Sequence, residues 1–216
     1  MRFIDKSSRC KEFDDYVNKN SEFFSIKGGW DLPADVKIIL HNHLLKQQKG
    51  LCIYCEQQLL EKTGAEYLPE SIIEHIRPRT KQKYPELTYI CCNLSVACKK
   101  SKKKEDKNDD IDFCEDRKAD EYDELKFLNP TELPEIEAYF EYDIEGNIFP
   151  YRNNERARYM IEVALNLNHK KLNNMRKTQY DIFSEMNIED VENILLDGNA
   201  EQLPAFYSML KNQFID

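Results

Sequence analysis

Apolar residues recur at helical spacing through Val36, Ile39, Leu40 and Leu44. This predicts a helix that opens at Asp31 or Pro33 and runs to about Lys49, where Gly50 supplies a stop. The pattern changes at Ser71: Ile72 and Ile73 begin a β-branched run that continues through Glu74, His75 and Ile76 and reads as a short strand. Pro78 ends it, because proline cannot donate to a sheet ladder and stiffens the exit. Further on, 138–142 and 148–151 flank Glu145 Gly146 Asn147, which predicts a β-hairpin with a Gly-containing turn. Met160, Ile161, Val163, Ala164 and Leu165, with Leu167 and Leu172 beyond, predict a helix, a break at 166–168 and a second helix to about Glu185. Two more helices are expected over 188–196 and 201–214, divided by Asp197 Gly198 Asn199. Residues 1–30, with Tyr16, Phe23, Phe24 and Trp30 loosely spaced, read as a lead-in that packs on the body.

The elements sort into three segments of an α+β protein: a lead-in and helix (1–49), a Cys-, Pro- and Lys-rich core with short strands (50–130), and a hairpin with a helical C-terminal region (131–216). At 216 residues and 41% hydrophobic content the chain is long enough to bury a sizeable core. It has no apolar stretch of membrane-spanning length, and Met1 to Lys6 lacks the apolar core of a signal peptide, so a soluble, cytoplasmic protein is expected. The formal net charge of -9 opposes simple nucleic-acid binding, since polyanion binders carry excess Lys and Arg. Lys99, Lys100, Lys102, Lys103, Lys104 and Lys107, with two acids among them, read as the only strongly basic stretch: either a phosphate-binding run or a solvated loop.

Seven cysteines in a chain read as cytosolic point to metal ligation or free thiols rather than disulfides. Cys52 Ile53 Tyr54 Cys55, just after a helix stop, has the spacing of a zinc knuckle, in which two thiolates one tight turn apart reach one tetrahedral ion. Cys98 and Cys114 are the best second pair, because both follow the strand and have polar, loop-like neighbours. Cys91 and Cys92 compete, but their apolar surroundings suit a cysteine acting as a small buried hydrophobe. A thiol redox pair at Cys52 and Cys55 is the other reading, although the βαβ context of a thioredoxin-like site is missing.

Glu74 and His75 close the strand. Neighbouring strand residues face opposite ways, so the two have different jobs. A carboxylate is a hard ligand suited to Mg²⁺ or Mn²⁺, and a histidine near its ordinary pKa takes a proton at neutral pH. The plain alternative is a surface ion pair of Glu74 with Arg77. The tripeptide His41 Asn42 His43 is not a site, since residues one and two apart on a helix diverge around its axis.

A CxxC, a strand ending in acid-His-x-x-Pro, an Asn-Leu some twenty residues on and a later Cys resemble the HNH (ββα-metal) endonuclease superfamily. The resemblance implies a ββα-metal core stabilised by zinc, with His75 as general base, Glu74 as ligand of a catalytic divalent metal and Asn93 as the residue that orients the base. It puts the last member at Glu115, directly after Cys114, where the family has Asn or His; Asp116 is the fallback. Lys118 then follows, and Arg77, Lys99, Lys100 and Lys118 become the candidate nucleic-acid contacts. The strings Gly50 to Glu56, Ile73 to Pro78, Phe127 Leu128 Asn129 Pro130 and Leu165 to Asn168 are further similar to the PtuB nuclease subunits of Septu and retron-associated antiphage systems. Those relatives carry a long insertion between the third and fourth cysteines, which supports pairing Cys98 with Cys114. That resemblance implies a PtuA-like ABC-type ATPase as partner, which would offset the chain's unfavourable charge.

Overall fold

The expected helix after Pro33 is present as α2 (Ala34–Gln47) and buries Val36, Leu40, His41, Leu44 and Leu45 in a computed structural model that describes residues 1–21, 30–60, 71–80, 83–99 and 112–215. Gly50 ends it at φ 81°, its N–H returning to the Leu45 carbonyl at 3.0 Å. The lead-in is more ordered than its pattern predicts: α1 (Lys11–Lys19) buries Phe13 and packs on α2, and Met1 and Ile4 are core residues.

Two antiparallel strands form the centre. β1 (Ser71–His75) pairs with β2 (Leu94–Cys98) in a register that sets Ser71 opposite Cys98 and His75 opposite Leu94. β2 is buried along its whole length, which fits its run of Leu94, Val96 and Ala97. Gln48 braces it from the end of α2: its side-chain amide donates to the Leu51 and Val96 carbonyls at 2.7 and 2.8 Å, and its oxygen accepts from the Val96 N–H at 2.7 Å. The amide is buried and its hydrogen bonds are satisfied, so it joins helix to strand without the cost of an orphaned polar group. A one-turn helix, α3 (Glu115–Lys118), follows Cys114.

The hairpin falls where the pattern puts it, as β3 (Phe140–Tyr142) and β4 (Ile148–Pro150). Beyond it, α4 (Glu155–Arg158) is capped by Asn154, whose side chain accepts from the N–H groups of Arg156 and Ala157, and then widens into a π-turn over Tyr159–Ala164. α5 (Lys170–Ser184) and α6 (Ile188–Leu196) match expectation. The last helix is shorter: α7 covers Tyr207–Phe214 rather than 201–214, because Pro204 lies in the stretch before it and Phe206 turns left-handed at φ 58°. A buried apolar cluster runs from Met1 to Leu210, so all three sequence segments share it.

Gly146 locks the hairpin against α5. Its φ is 80°, and an added Cβ would lie 2.3 Å from the Asn173 carbonyl oxygen and 2.9 Å from the Lys177 nitrogen, both backbone atoms. Gly146→Ala is therefore expected to destabilise by about 3 kcal/mol through combined φ strain and overpacking. This lowers the melting temperature by roughly 6–12 °C for a chain of this size, measurable by circular dichroism. An unchanged melting point would show that the turn and α5 part easily.

Candidate metal centre and acid-histidine site

Four cysteines from three parts of the chain meet in the core. Cys52 and Cys55 come from the turn after α2, Cys98 ends β2, and Cys114 immediately precedes α3. Their sulfur atoms all lie within 4.8 Å of one another and all four residues are buried. The Cys55 and Cys98 sulfurs are 3.7 Å apart. Tetrahedral ligation at about 2.3 Å places sulfurs roughly 3.8 Å apart, whereas a disulfide needs about 2.05 Å. The four cysteines thus fit a tetrahedral ion and could hold a metal such as zinc; all seven cysteines are free thiols.

The local backbone is shaped for this. The Cys52 N–H donates to the Gln57 carbonyl and the Glu56 N–H to the Cys52 carbonyl, closing the turn, while the Cys98 N–H donates to the Cys52 sulfur at 3.3 Å. Cys114 is anchored by its N–H to the Leu165 carbonyl at 2.9 Å. Burial works against ionising Cys52, yet hydrogen bonds from the Cys114, Cys55 and Cys98 thiols pull it below the usual thiol range, the direction that favours binding a cation. Of the competing cysteines, Cys91 is buried as expected but Cys92 is exposed.

A buried arginine that the sequence did not single out lies within the field of two of these cysteines, Cys55 and Cys114. Arg176 is 2% exposed and donates to the carbonyls of Gly146 and Leu167 at 3.0 and 2.9 Å. Burial pulls its pKa down, opposed by the field of Tyr142, Cys55, Cys114 and Glu56. The available signal was its place on the apolar stripe of α5 with Leu172 and Phe183.

The strand pair carries the second cluster. Glu74 and His75 face opposite ways as expected, and both are buried, at 7% and 9% exposure. The Glu74 carboxylate accepts from the Tyr54 hydroxyl at 3.1 Å and pairs with the Lys118 ammonium at 2.8 Å, so its ion-pair partner is Lys118 and not Arg77. Burial pushes Glu74 up against the pull of Lys118 and Tyr54. Lys118 also donates to the His75 carbonyl at 3.2 Å. It is 1% exposed, which corrects its expected role as a phosphate contact: it is an internal tie between α3 and β1.

His75 lies perpendicular to Trp30, the ring centroids 4.7 Å apart at 85°, with its Nε2 3.0 Å from the Thr88 carbonyl oxygen. A carbonyl only accepts, so Nε2 carries the proton and Nδ1 keeps its lone pair. Burial lowers the imidazole pKa to about 4, against the Thr88 hydrogen bond, with Arg79 and Lys118 adding to the fall; this corrects the expectation of a histidine near its ordinary pKa and makes the ring a weaker base than that expectation requires. The folded imidazole stays neutral down to about pH 4, while in the unfolded chain it takes a proton near 6.5. The resulting stability, on the order of 3 kcal/mol, is complete above pH 6.5 and is lost as pH falls towards 4. Denaturation from pH 7 to 5 is expected to show a steeper loss for the wild type than for His75→Gln; parallel curves would place the imidazole in water. Acid loss of a thiolate-bound metal would affect both proteins alike and cancel.

Asn93 is buried but holds the backbone rather than the imidazole. Its side chain accepts from the Arg77 N–H at 2.8 Å and donates to the Arg77 and Leu87 carbonyls at 3.0 and 3.3 Å. It fixes the chain two residues past His75, so any orienting effect passes through that loop. Asn93→Ala strands an N–H and two carbonyls and is expected to cost about 2 kcal/mol, read by chemical denaturation, with the four-cysteine metal content unchanged. A fully stable variant would mean that water replaces the amide.

Glu115 is half-buried with Lys99 at 4.0 Å; burial raises its pKa, Lys99 opposes, and the charges of Glu74 and Asp116 add to the rise. Among the described residues, the four cysteines are the one group of three or more Cys, His, Asp or Glu ligand atoms so clustered. Glu74, His75 and Glu115 therefore do not form a ready cation site; the Lys118 ammonium already neutralises Glu74. Arg77 is also committed, bound to Glu124 at 3.1 Å and Glu132 at 2.5 Å, which corrects its assignment as a free phosphate contact. Lys100 and the rest of the lysine run to 107 lie outside the described residues. No helix among the described residues is long and apolar enough to cross a membrane. No protein-family model and no curated protein matches the chain.

Proposed function

We propose that this chain is a zinc-stabilised HNH-type endonuclease that hydrolyses phosphodiester bonds of DNA or RNA with a divalent metal. It serves as the effector of an antiphage system beside a PtuA-like ABC-type ATPase. The observation that carries the reading is the state of His75: a neutral imidazole whose Nε2 is committed to Thr88 and whose Nδ1 can accept a proton, at the end of a strand paired to the one that ends in Cys98. In hydrolysis, Nδ1 takes a proton from water as its oxygen bonds to phosphorus, the bond to the leaving oxygen breaks, and that oxygen acquires a proton. Glu74 and Glu115 are the carboxylates assigned to Mg²⁺ or Mn²⁺, and Glu74 becomes available only when Lys118 releases it. The required displacement and the net charge of -9 accord with a nuclease held inactive until its partner engages.

A second reading keeps the zinc and drops the chemistry: a module that recruits partners. The Glu74–Lys118 ion pair favours it, because a committed carboxylate binds no second cation. One assay separates the two. The chain with its ATPase, Mg²⁺ or Mn²⁺ and plasmid or tRNA is expected to cut, and His75→Ala to stop cutting with zinc content unchanged. Intact substrate under every condition would leave the recruiting module.

A further inference from the structure

The wall beside His75 has a composition the proposed chemistry does not use. Trp30 meets the imidazole perpendicularly and stacks on Tyr89, the ring centroids 5.5 Å apart at 25°. The Asp31 N–H donates to the Tyr89 hydroxyl at 3.1 Å, fixing the pair, and both rings are half-buried, so each keeps part of its surface open. Arg79 is exposed and, unlike Arg77, enters no ion pair among the described residues. Its charge is felt at both His75 and Tyr89. It belongs to a second basic run: Arg77, Arg79, Lys81 and Lys83 fall within seven residues without one acid. The lysine stretch beyond Cys98 is therefore not the only basic one.

We propose that Trp30 and Tyr89 form a stacking wall for an unpaired nucleobase, with Arg79 on the adjoining phosphate, so that the preferred substrate is single-stranded or locally unpaired nucleic acid. Stacked aromatic rings beside a guanidinium bind bases by their faces and the backbone by its charge, and a base inside a duplex keeps its faces covered. Duplexes are then poor ligands unless a base is turned out. This rests on reading His75 as the centre of a nuclease and adds the form of its substrate.

Trp30 is the only tryptophan of the chain, so its emission reports on the wall directly. Zinc-loaded full-length protein without added Mg²⁺ or Mn²⁺ is titrated with a dT 12-mer, an rU 12-mer and a blunt 12-base-pair duplex. Saturable quenching by a single strand is expected, with the duplex at least tenfold weaker. Tyr89→Leu should weaken single-strand binding about tenfold, and Arg79→Ala, at an exposed position that does not threaten folding, should weaken it and flatten its salt dependence. No quenching, equal affinity for duplex, or binding indifferent to Arg79→Ala would overturn the proposal. So would a Trp30→Leu variant that binds normally and cuts faster, since the pair would then be a cover over His75. Cutting by wild type without quenching would remove the wall and leave the nuclease; quenching without cutting under any metal would keep the wall and remove the nuclease.

Discussion

Cys52→Ser is expected to abolish the fold rather than merely weaken a site. The four sulfurs sit inside the apolar cluster and join the turn after α2, the end of β2 and the start of α3, segments otherwise far apart in the chain. Apparent free energies for structural zinc in small domains reach about 10–16 kcal/mol, comparable to or above the roughly 5–15 kcal/mol net stability of a typical protein. Serine cannot supply a thiolate, and its hydroxyl would leave three buried thiols around a poor donor. The expected result is insoluble or unfolded protein without zinc, and chelation of wild type should reproduce it. Metal content and circular dichroism decide the matter: a soluble, folded, zinc-free Cys52→Ser would mean that the cysteines are merely well-packed thiols.

His75→Ala is expected to lower cleavage by about 10²–10⁴ while leaving substrate binding and zinc intact. The basis is tautomeric. Thr88 fixes the proton on Nε2, burial keeps the ring neutral at working pH, and the lone pair on Nδ1 is the group lost on substitution. Single-turnover cleavage with the ATPase present gives the measurement, and binding by Trp30 emission provides the control. Wild-type turnover in the variant would sink the proposed chemistry, whatever the metal content.

Much of the site was legible because its signals are local. The CxxC turn depends on spacing, the strand on its β-branched run, and the opposite facing of Glu74 and His75 on the twofold alternation of a strand. The pairing of Cys98 with Cys114 needed more: their polar, loop-like neighbours and the resemblance to relatives with a long insertion favoured it, yet Cys98 proves to end a fully buried strand, and only the fold brings the sulfurs together. The roles of the charged residues were not legible. Arg77 was expected to meet either Glu74 or a phosphate, yet it binds Glu124 and Glu132, which lie 47 and 55 residues on. Lys118 looked like a surface cation in a polar string and is instead buried on Glu74.

The sequence by itself determined α2, β1, the hairpin, α5 and α6 to within a few residues, which cysteines could act as a pair, and that an acid and a histidine close a strand; it carried no sign of α1 or of β2. Periodicity, turn chemistry and ligand spacing are properties of short stretches, so they survive without a fold. The tertiary structure alone decided which cation neutralises Glu74, that Asn93 clamps the loop and not the ring, that Arg176 is buried within the field of Cys55 and Cys114, and that Trp30 lies against His75. Electrostatic and aromatic partners are chosen by topology across tens of residues. Burial then sets their protonation, and neither is written in any local pattern.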